Sequence, residues 1–166
     1  MPDLYWAANG PMPTTAAFAP VTTGTAIKTM LQIATPSTRP IRVVEWGISF
    51  DGSAAATPIK CELLQTDVAA TVTAHVAAGV QPFNDPNAPA SLVTLGTTAT
   101  GYTATAEGTI TTTRQGDVQF VAPTNQYIKQ WPLDNEFQVP ISKFLRVRVT
   151  AGTAVNCYCY VVWAEC

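Results

Sequence analysis

The chain has 166 residues, of which 47% are hydrophobic but only 12% charged, and its net charge is −2. That length suits one domain around one core, and nine scattered Lys and Arg exclude the cationic stripe that a nucleic-acid binder needs. Charge at about half the usual ~25% leaves threonine and alanine to cover the surface, and β-branched Thr suits a pleated, half-exposed face.

Residues 1–24 contain several prolines and Gly or Asn breakers, with isolated aromatics at Tyr5, Trp6 and Phe18. This predicts an extended N-terminal arm rather than a packed element. The same stretch has neither Lys or Arg near its start nor a continuous apolar run, so no secretory signal is expected. No segment approaches the ~18 apolar residues of a membrane span. Folding in a cytoplasm, with thiols reduced, is the expectation.

From Thr25 the pattern has period two, and residues 25–166 are read as a single β-sandwich domain. "TAIKTMLQIA", "PIRVVEWGISF" and "PIKCELLQT" predict three strands. In the second, Val44, Trp46, Ile48 and Phe50 share a face; in the third, Ile59, Cys61 and Leu63 do. "DGSAAATP" between them is rich in turn formers, and the two flanking strands are expected to be antiparallel neighbours. Residues 66–106 predict a long irregular excursion, with prolines that forbid regular structure and one helical turn near residues 89–93.

Strands return in "EGTITTTR", "DVQFVA", "YIKQWPL", "EFQVPI", "FLRVRVT" and "NCYCYVVWAE". "FLRVRVT" points Leu145, Val147 and Val149 inward and Arg146 and Arg148 outward. The last strand sets Cys157, Cys159, Val161 and Trp163 against Tyr158, Tyr160 and Val162, so both faces are apolar, as in a central or covered strand. The fold class is therefore all-β, a β-sandwich or jelly-roll-like barrel, with an extended N-terminal arm and a long irregular excursion.

Candidate chemistry is sparse. Cys157 and Cys159 are two positions apart on a strand, roughly 6.5 Å from each other with parallel side chains, and cannot easily bond each other. Zinc would need four ligands, yet there is one histidine, His75, and no Cys-x-x-Cys. A pairing of Cys61 with the last strand is weighed beside these, and packing as small core thiols is favoured. No nucleophile elbow accompanies His75. Asp67, Asp85, Asp117, Asp134 and Glu136 lack EF-hand spacing. Trp6, Trp46, Trp131 and Trp163 with Tyr102, Tyr127, Tyr158 and Tyr160 would suit a sugar-stacking platform, but the alternation favours core for Trp46 and Trp163. Trp131, beside a proline near a strand end, is a candidate contact residue. No catalytic residue, cofactor or metal ligand is assigned.

The stretches "LLQTDVAATVTAHVAAGVQPFNDPNAPASLVTLGTTATGYTATAEGTITTTR" and "FLRVRVTAGTAVNCYCYVVWAE" resemble small structural proteins of tailed phages and prophages of actinobacteria, over about residues 20–165. The likeness is greatest to capsid decoration, or cement, proteins. It implies a non-enzymatic homotrimer made in the host cytoplasm and bound to the outer capsid surface of the virion, where its partner is the major capsid protein of an HK97-type head. It implies no nucleic-acid or membrane partner and no cofactor. Tyr5, Trp6, Phe18 and Trp131 are the interface candidates, with the arm reaching a neighbour. A tail-associated receptor-binding or adhesion module is the alternative; it expects glycan binding at Trp131 or Tyr102.

Overall fold

The computed structural model describes residues 2–53 and 55–166. Its strands are β1 (Leu4–Ala8), β2 (Val21–Thr22), β3 (Ile27–Ala34), β4 (Ile41–Phe50), β5 (Ile59–Thr66), β6 (Thr71–Ala74), β7 (Gln81–Pro82), β8 (Gly101–Ala106), β9 (Thr113–Val121), β10 (Gln126–Gln130), β11 (Phe137–Val139), β12 (Phe144–Thr150) and β13 (Asn156–Glu165). One sheet runs β10-β4-β13-β1-β7, with β11 also on β4 and β2 on β13; the other runs β6-β8-β3-β12-β5-β9. The sheets pack face to face as a sandwich and do not close into a barrel, which sets the jelly-roll-like barrel aside.

The core is the seam between the sheets. Cys157, Cys159, Val161 and Trp163 of β13 and Trp46 and Ile48 of β4 meet Cys61, Leu63, Leu145, Val147 and Val149 from the other sheet. Period-two alternation puts these residues on one face of each strand, and their burial drives the packing at roughly 25 cal/mol per Å² of apolar surface. Between β13 and β4 the pairing jumps from Val162↔Glu45 to Trp163↔Val43. Val44 is thus the extra residue of a bulge, and it is Val43 that joins Trp46 and Ile48 in the core. The expected face of Val44, Trp46, Ile48 and Phe50 is corrected accordingly.

Several further expectations are corrected. Strands β4 and β5 are not neighbours: they lie in different sheets. The turn-rich stretch between them, of which residue 54 lies outside the described residues, is a crossover. Among the described residues the one helical turn is a 3-10 turn at Ala77–Gly79, not near residues 89–93, and the excursion contributes β6, β7 and β8 to the sheets.

Residues 107–112 of "EGTITTTR" are not strand. Glu107 turns inward to Arg146, with a 2.8 Å contact, Gly108 takes a positive φ of 72°, and Thr111 and Thr112 donate their amides to Asp67 at 3.2 and 3.1 Å.

Arg146 does not face solvent. It is completely buried on the outer face of its sheet, where the excursion covers it. Its Nε donates to the Thr66 hydroxyl at 3.0 Å and its Nη1 to the Glu107 carbonyl at 3.1 Å, while Nη2 meets the Val68 carbonyl. Burial pushes its pKa down and Glu107 pulls it back up, the expected contest between desolvation and a paired carboxylate.

The N-terminal residues are also packed. Strand β1 pairs along β13 from Leu4↔Ala164 to Ala8↔Tyr160, and Tyr5, Ala7, Ala8 and Asn9 are buried. Strand β2 pairs with the same β13, Val21↔Cys157 and Thr22↔Asn156. The two are one strand interrupted, with residues 10–20 looped out between them. Among the described residues no helix is long and apolar enough to cross a membrane.

Candidate functional site

Residues 10–20 fold over the outer face of the sheet that contains β13. The Phe18 ring meets Tyr158 edge-on, with centroids 5.1 Å apart and planes at 90°, a favoured aromatic geometry. Gly10 permits this approach, because a Cβ there would lie 3.0 Å from the Phe18 ring. Asn9 anchors the loop's start: its amide and side chain bond Cys157 and Cys159 of β13 at 2.9–3.1 Å.

Between the loop and the sheet lies a cleft of about 660 Å³, within the usual range for small-ligand sites. Trp6, Met12, Phe18 and Tyr158 supply its apolar walls and Phe50, which packs against the core, borders it; Ser49, Asp51, Gln81 and Asn156 supply its polar groups. Met12 and Phe18 come from the loop and Asp51 from just after β4; the others come from β4, β13, β1 and β7, adjacent strands of one sheet. Trp6 and Tyr158 face outward because Tyr5, Cys157 and Cys159 on the alternate positions face the core. Asp51 accepts hydrogen bonds from the Asn156 amide at 3.2 Å and side chain at 3.1 Å.

No protein-family model, curated protein or solved structure matches the chain.

Of the interface candidates, Trp6 and Phe18 line this cleft together. Tyr5 does not: it is buried in the core, and its hydroxyl donates to the Pro89 carbonyl at 3.0 Å. It is therefore removed from the candidates, since alternation turns it away from Trp6. Trp131 lies elsewhere, half-buried against the core, with the Lys129 ammonium 5.1 Å above its ring. Sequence reasoning missed Met12 and Phe50 as cleft residues. Tyr158 was legible as the outward neighbour of Cys157 and Cys159, but nothing local said that residues 10–20 would fold onto it.

The cysteines and His75 do not line the cleft. Cys61, Cys157 and Cys159 are free and buried in the core, while Cys166 is free and exposed. Burial pushes the Cys61 and Cys159 thiols well up, which removes the thiolate that redox or nucleophilic chemistry requires. His75 is buried and bonded through Nε2 to the Ala8 carbonyl at 2.7 Å; burial lowers its pKa. Its ring lies 4.9 Å from that of Tyr102. No group of three or more His, Cys, Asp and Glu is arranged to hold a metal ion among the described residues.

Asp117 ties the two sheets where their edges meet. On β9, it accepts from the Trp46 indole at 3.2 Å, the Tyr127 hydroxyl at 2.9 Å and Gln119 at 3.2 Å, with the Lys129 ammonium 3.6 Å away. Burial and this carboxylate push the Tyr127 phenol up to about 12. Near this tie three large apolar side chains are exposed: Phe120 on β9 at 71%, Ile128 on β10 at 54% and Leu133 after β10 at 83%; alternation turns Phe120 and Ile128 away from the core, each to the outer face of its own sheet.

Proposed function

We propose that this chain is a non-enzymatic structural protein of a tailed-phage virion, a decoration (cement) protein that binds the outside of an HK97-type head through the major capsid protein, as a homotrimer. The observation that carries this reading is the edge of the sandwich at β9 and β10, strands that leave unpaired backbone groups and carry the exposed Phe120 and Ile128, with Leu133 exposed beyond β10. Such an edge invites pairing with another chain unless it is covered. The resemblance of the excursion and the last two strands to phage structural proteins supplies the particular partner.

The mechanism is adhesive. A protein that bridges adjacent capsomers adds its buried apolar area, at roughly 25 cal/mol per Å², to the work of separating them. Contacts that are individually weak suffice when many copies act together. Sparse charge helps, because few ions must be desolvated on docking. The contact surface assigned here is the β9–β10 side, not a free arm, because β1 is committed to its sheet.

The test is the thermal release of DNA from heads with and without the protein. Heads carrying it should release DNA at a higher temperature, and the gain should disappear in the double variant Phe120→Asp, Leu133→Asp. An unchanged release temperature on saturated heads overturns the cement role. The tail-associated adhesion module stays as a second reading, favoured by the aromatic cleft beneath residues 10–20.

A further inference from the structure

The cleft beneath residues 10–20 has a chemical character of its own. Its aromatic walls carry polar ends with no protein partner among the described residues: the Trp6 indole N–H, the Tyr158 hydroxyl, the Ser49 hydroxyl, and the side-chain oxygens of Asn156 and Gln81. Its one ionic group, Asp51, is held by Asn156 and keeps lone pairs free to accept more hydrogen bonds. No Lys, Arg or His lines it.

Each ligand class meets these facts differently. An anion, whether phosphate, sulfate or carboxylate, finds no cation and one carboxylate. A lipid chain would cover the polar ends without bonding them, and buried polar groups left unpaired are costly. A sugar ring presents an apolar C–H face to an aromatic wall while its hydroxyls, each donor and acceptor, reach amides, hydroxyls and a carboxylate. We infer that the cleft formed by Trp6, Phe18 and Tyr158 with Ser49, Asp51 and Asn156 is a binding site for a neutral oligosaccharide, as presented on a cell-surface polysaccharide. The cleft's volume of about 660 Å³ holds a few sugar rings.

This site is independent of where on a virion the protein sits. On a decoration protein it adds weak, many-copy adhesion to glycan-bearing surfaces. It also replaces Trp131 and Tyr102 as the sugar-contact residues, since Trp131 lies under Lys129 and Tyr102 against His75.

The experiment is an NMR titration of the full chain, following the Trp6 indole N–H, against neutral gluco-, galacto-, manno- and N-acetylglucosamine oligosaccharides, with a uronic acid oligomer and a proline-rich peptide as controls. At least one neutral oligosaccharide should move the Trp6 signal saturably, with a Kd of about 1 mM or tighter. Trp6→Ala should weaken that binding at least tenfold, read on the Tyr158 ring signals, and Trp131→Ala should leave it unchanged. Should Trp6→Ala fail to fold, Ser49→Trp, which fills the cleft from β4, should abolish binding in its place. No shift with any neutral sugar overturns the site. So does binding that survives Ser49→Trp, or a response to the peptide or the uronate alone. Head binding is measured separately, so failure here is distinct from failure of the decoration role.

Discussion

Asn9 and Cys159 hold each other by two hydrogen bonds, the Asn9 amide to the Cys159 carbonyl at 3.1 Å and the Cys159 amide to the Asn9 side-chain oxygen at 3.0 Å. The Asn9 side-chain nitrogen adds a bond to the Cys157 carbonyl at 2.9 Å. The side chain thereby extends the β1–β13 ladder by a step while the main chain turns away into the loop. Replacing Asn9 by Ala strands a buried N–H and a buried carbonyl, each costing about 1–3 kcal/mol. The expected loss in urea unfolding is about 3 kcal/mol in total; an unchanged midpoint would contradict the anchoring role.

Because β1 and β2 flank β13 in one line, the loop between them is dispensable to the sandwich. Replacing residues 10–20 by a single glycine, opposite Tyr158, should leave stability within about 1 kcal/mol, since the lost Phe18–Tyr158 contact is of that size and a shorter loop costs less to close. Deleting residues 1–20 instead removes β1 with Tyr5, Ala7 and Ala8 from the core and should unfold the protein. Circular dichroism and thermal melts of the two deletions separate these outcomes. A folded long deletion would sink the interrupted-strand description.

The two arginines of β12 should behave differently despite their alternating context. Arg146→Met leaves Glu107 without its buried partner and should cost about 3–5 kcal/mol. Arg148→Met leaves the buried Glu62 still paired with Lys60, which lies 3.3 Å from it, and should cost less, about 1.5–3 kcal/mol, the worth of one charged hydrogen bond. Equal losses in denaturant unfolding would contradict the burial of Arg146 alone.

Asp67 ties the start of the excursion to its end. Hydrogen bonds from the Thr111 hydroxyl and the Thr112 amide lower its pKa from 3.8 to about 2. A carboxyl with a folded pKa below its unfolded value stabilises the fold fully above that unfolded value. The contribution is lost as pH falls from 3.8 toward about 2. Unfolding free energy measured through this window should fall less steeply in Asp67→Asn than in the wild-type protein; parallel curves would remove Asp67 from the acid response.

Much of the sandwich was legible because alternation is a local signal. In β12 and β13 the inward residues Leu145, Val147, Val149, Cys157, Cys159 and Trp163 follow directly from period two. The rest depended on contacts distant in sequence. Turn formers at Asp51 and Gly52 end a strand whether the chain makes a hairpin or crosses to the other sheet, so the separation of β4 from β5 left no local trace. Arg146 reads as outward by alternation, and so it points, but only the excursion folding over that face makes outward mean buried. Tyr5 and Trp6 sit in a short run before several prolines, and their strand exists because β13 offers an edge. The cleft is legible as residue types, Trp6, Phe18 and Tyr158, and not as a place, since its walls are brought together by pairing across the whole chain.

The most direct test of the decoration role is cosedimentation of the purified protein with heads that lack it, followed by copy counting on the recovered particles. The decoration role predicts saturable binding at a copy number set by the capsid lattice, lost in Phe120→Asp, Leu133→Asp. Absence from heads, with a few copies recovered on tails, would contradict it and move the protein to the adhesion reading.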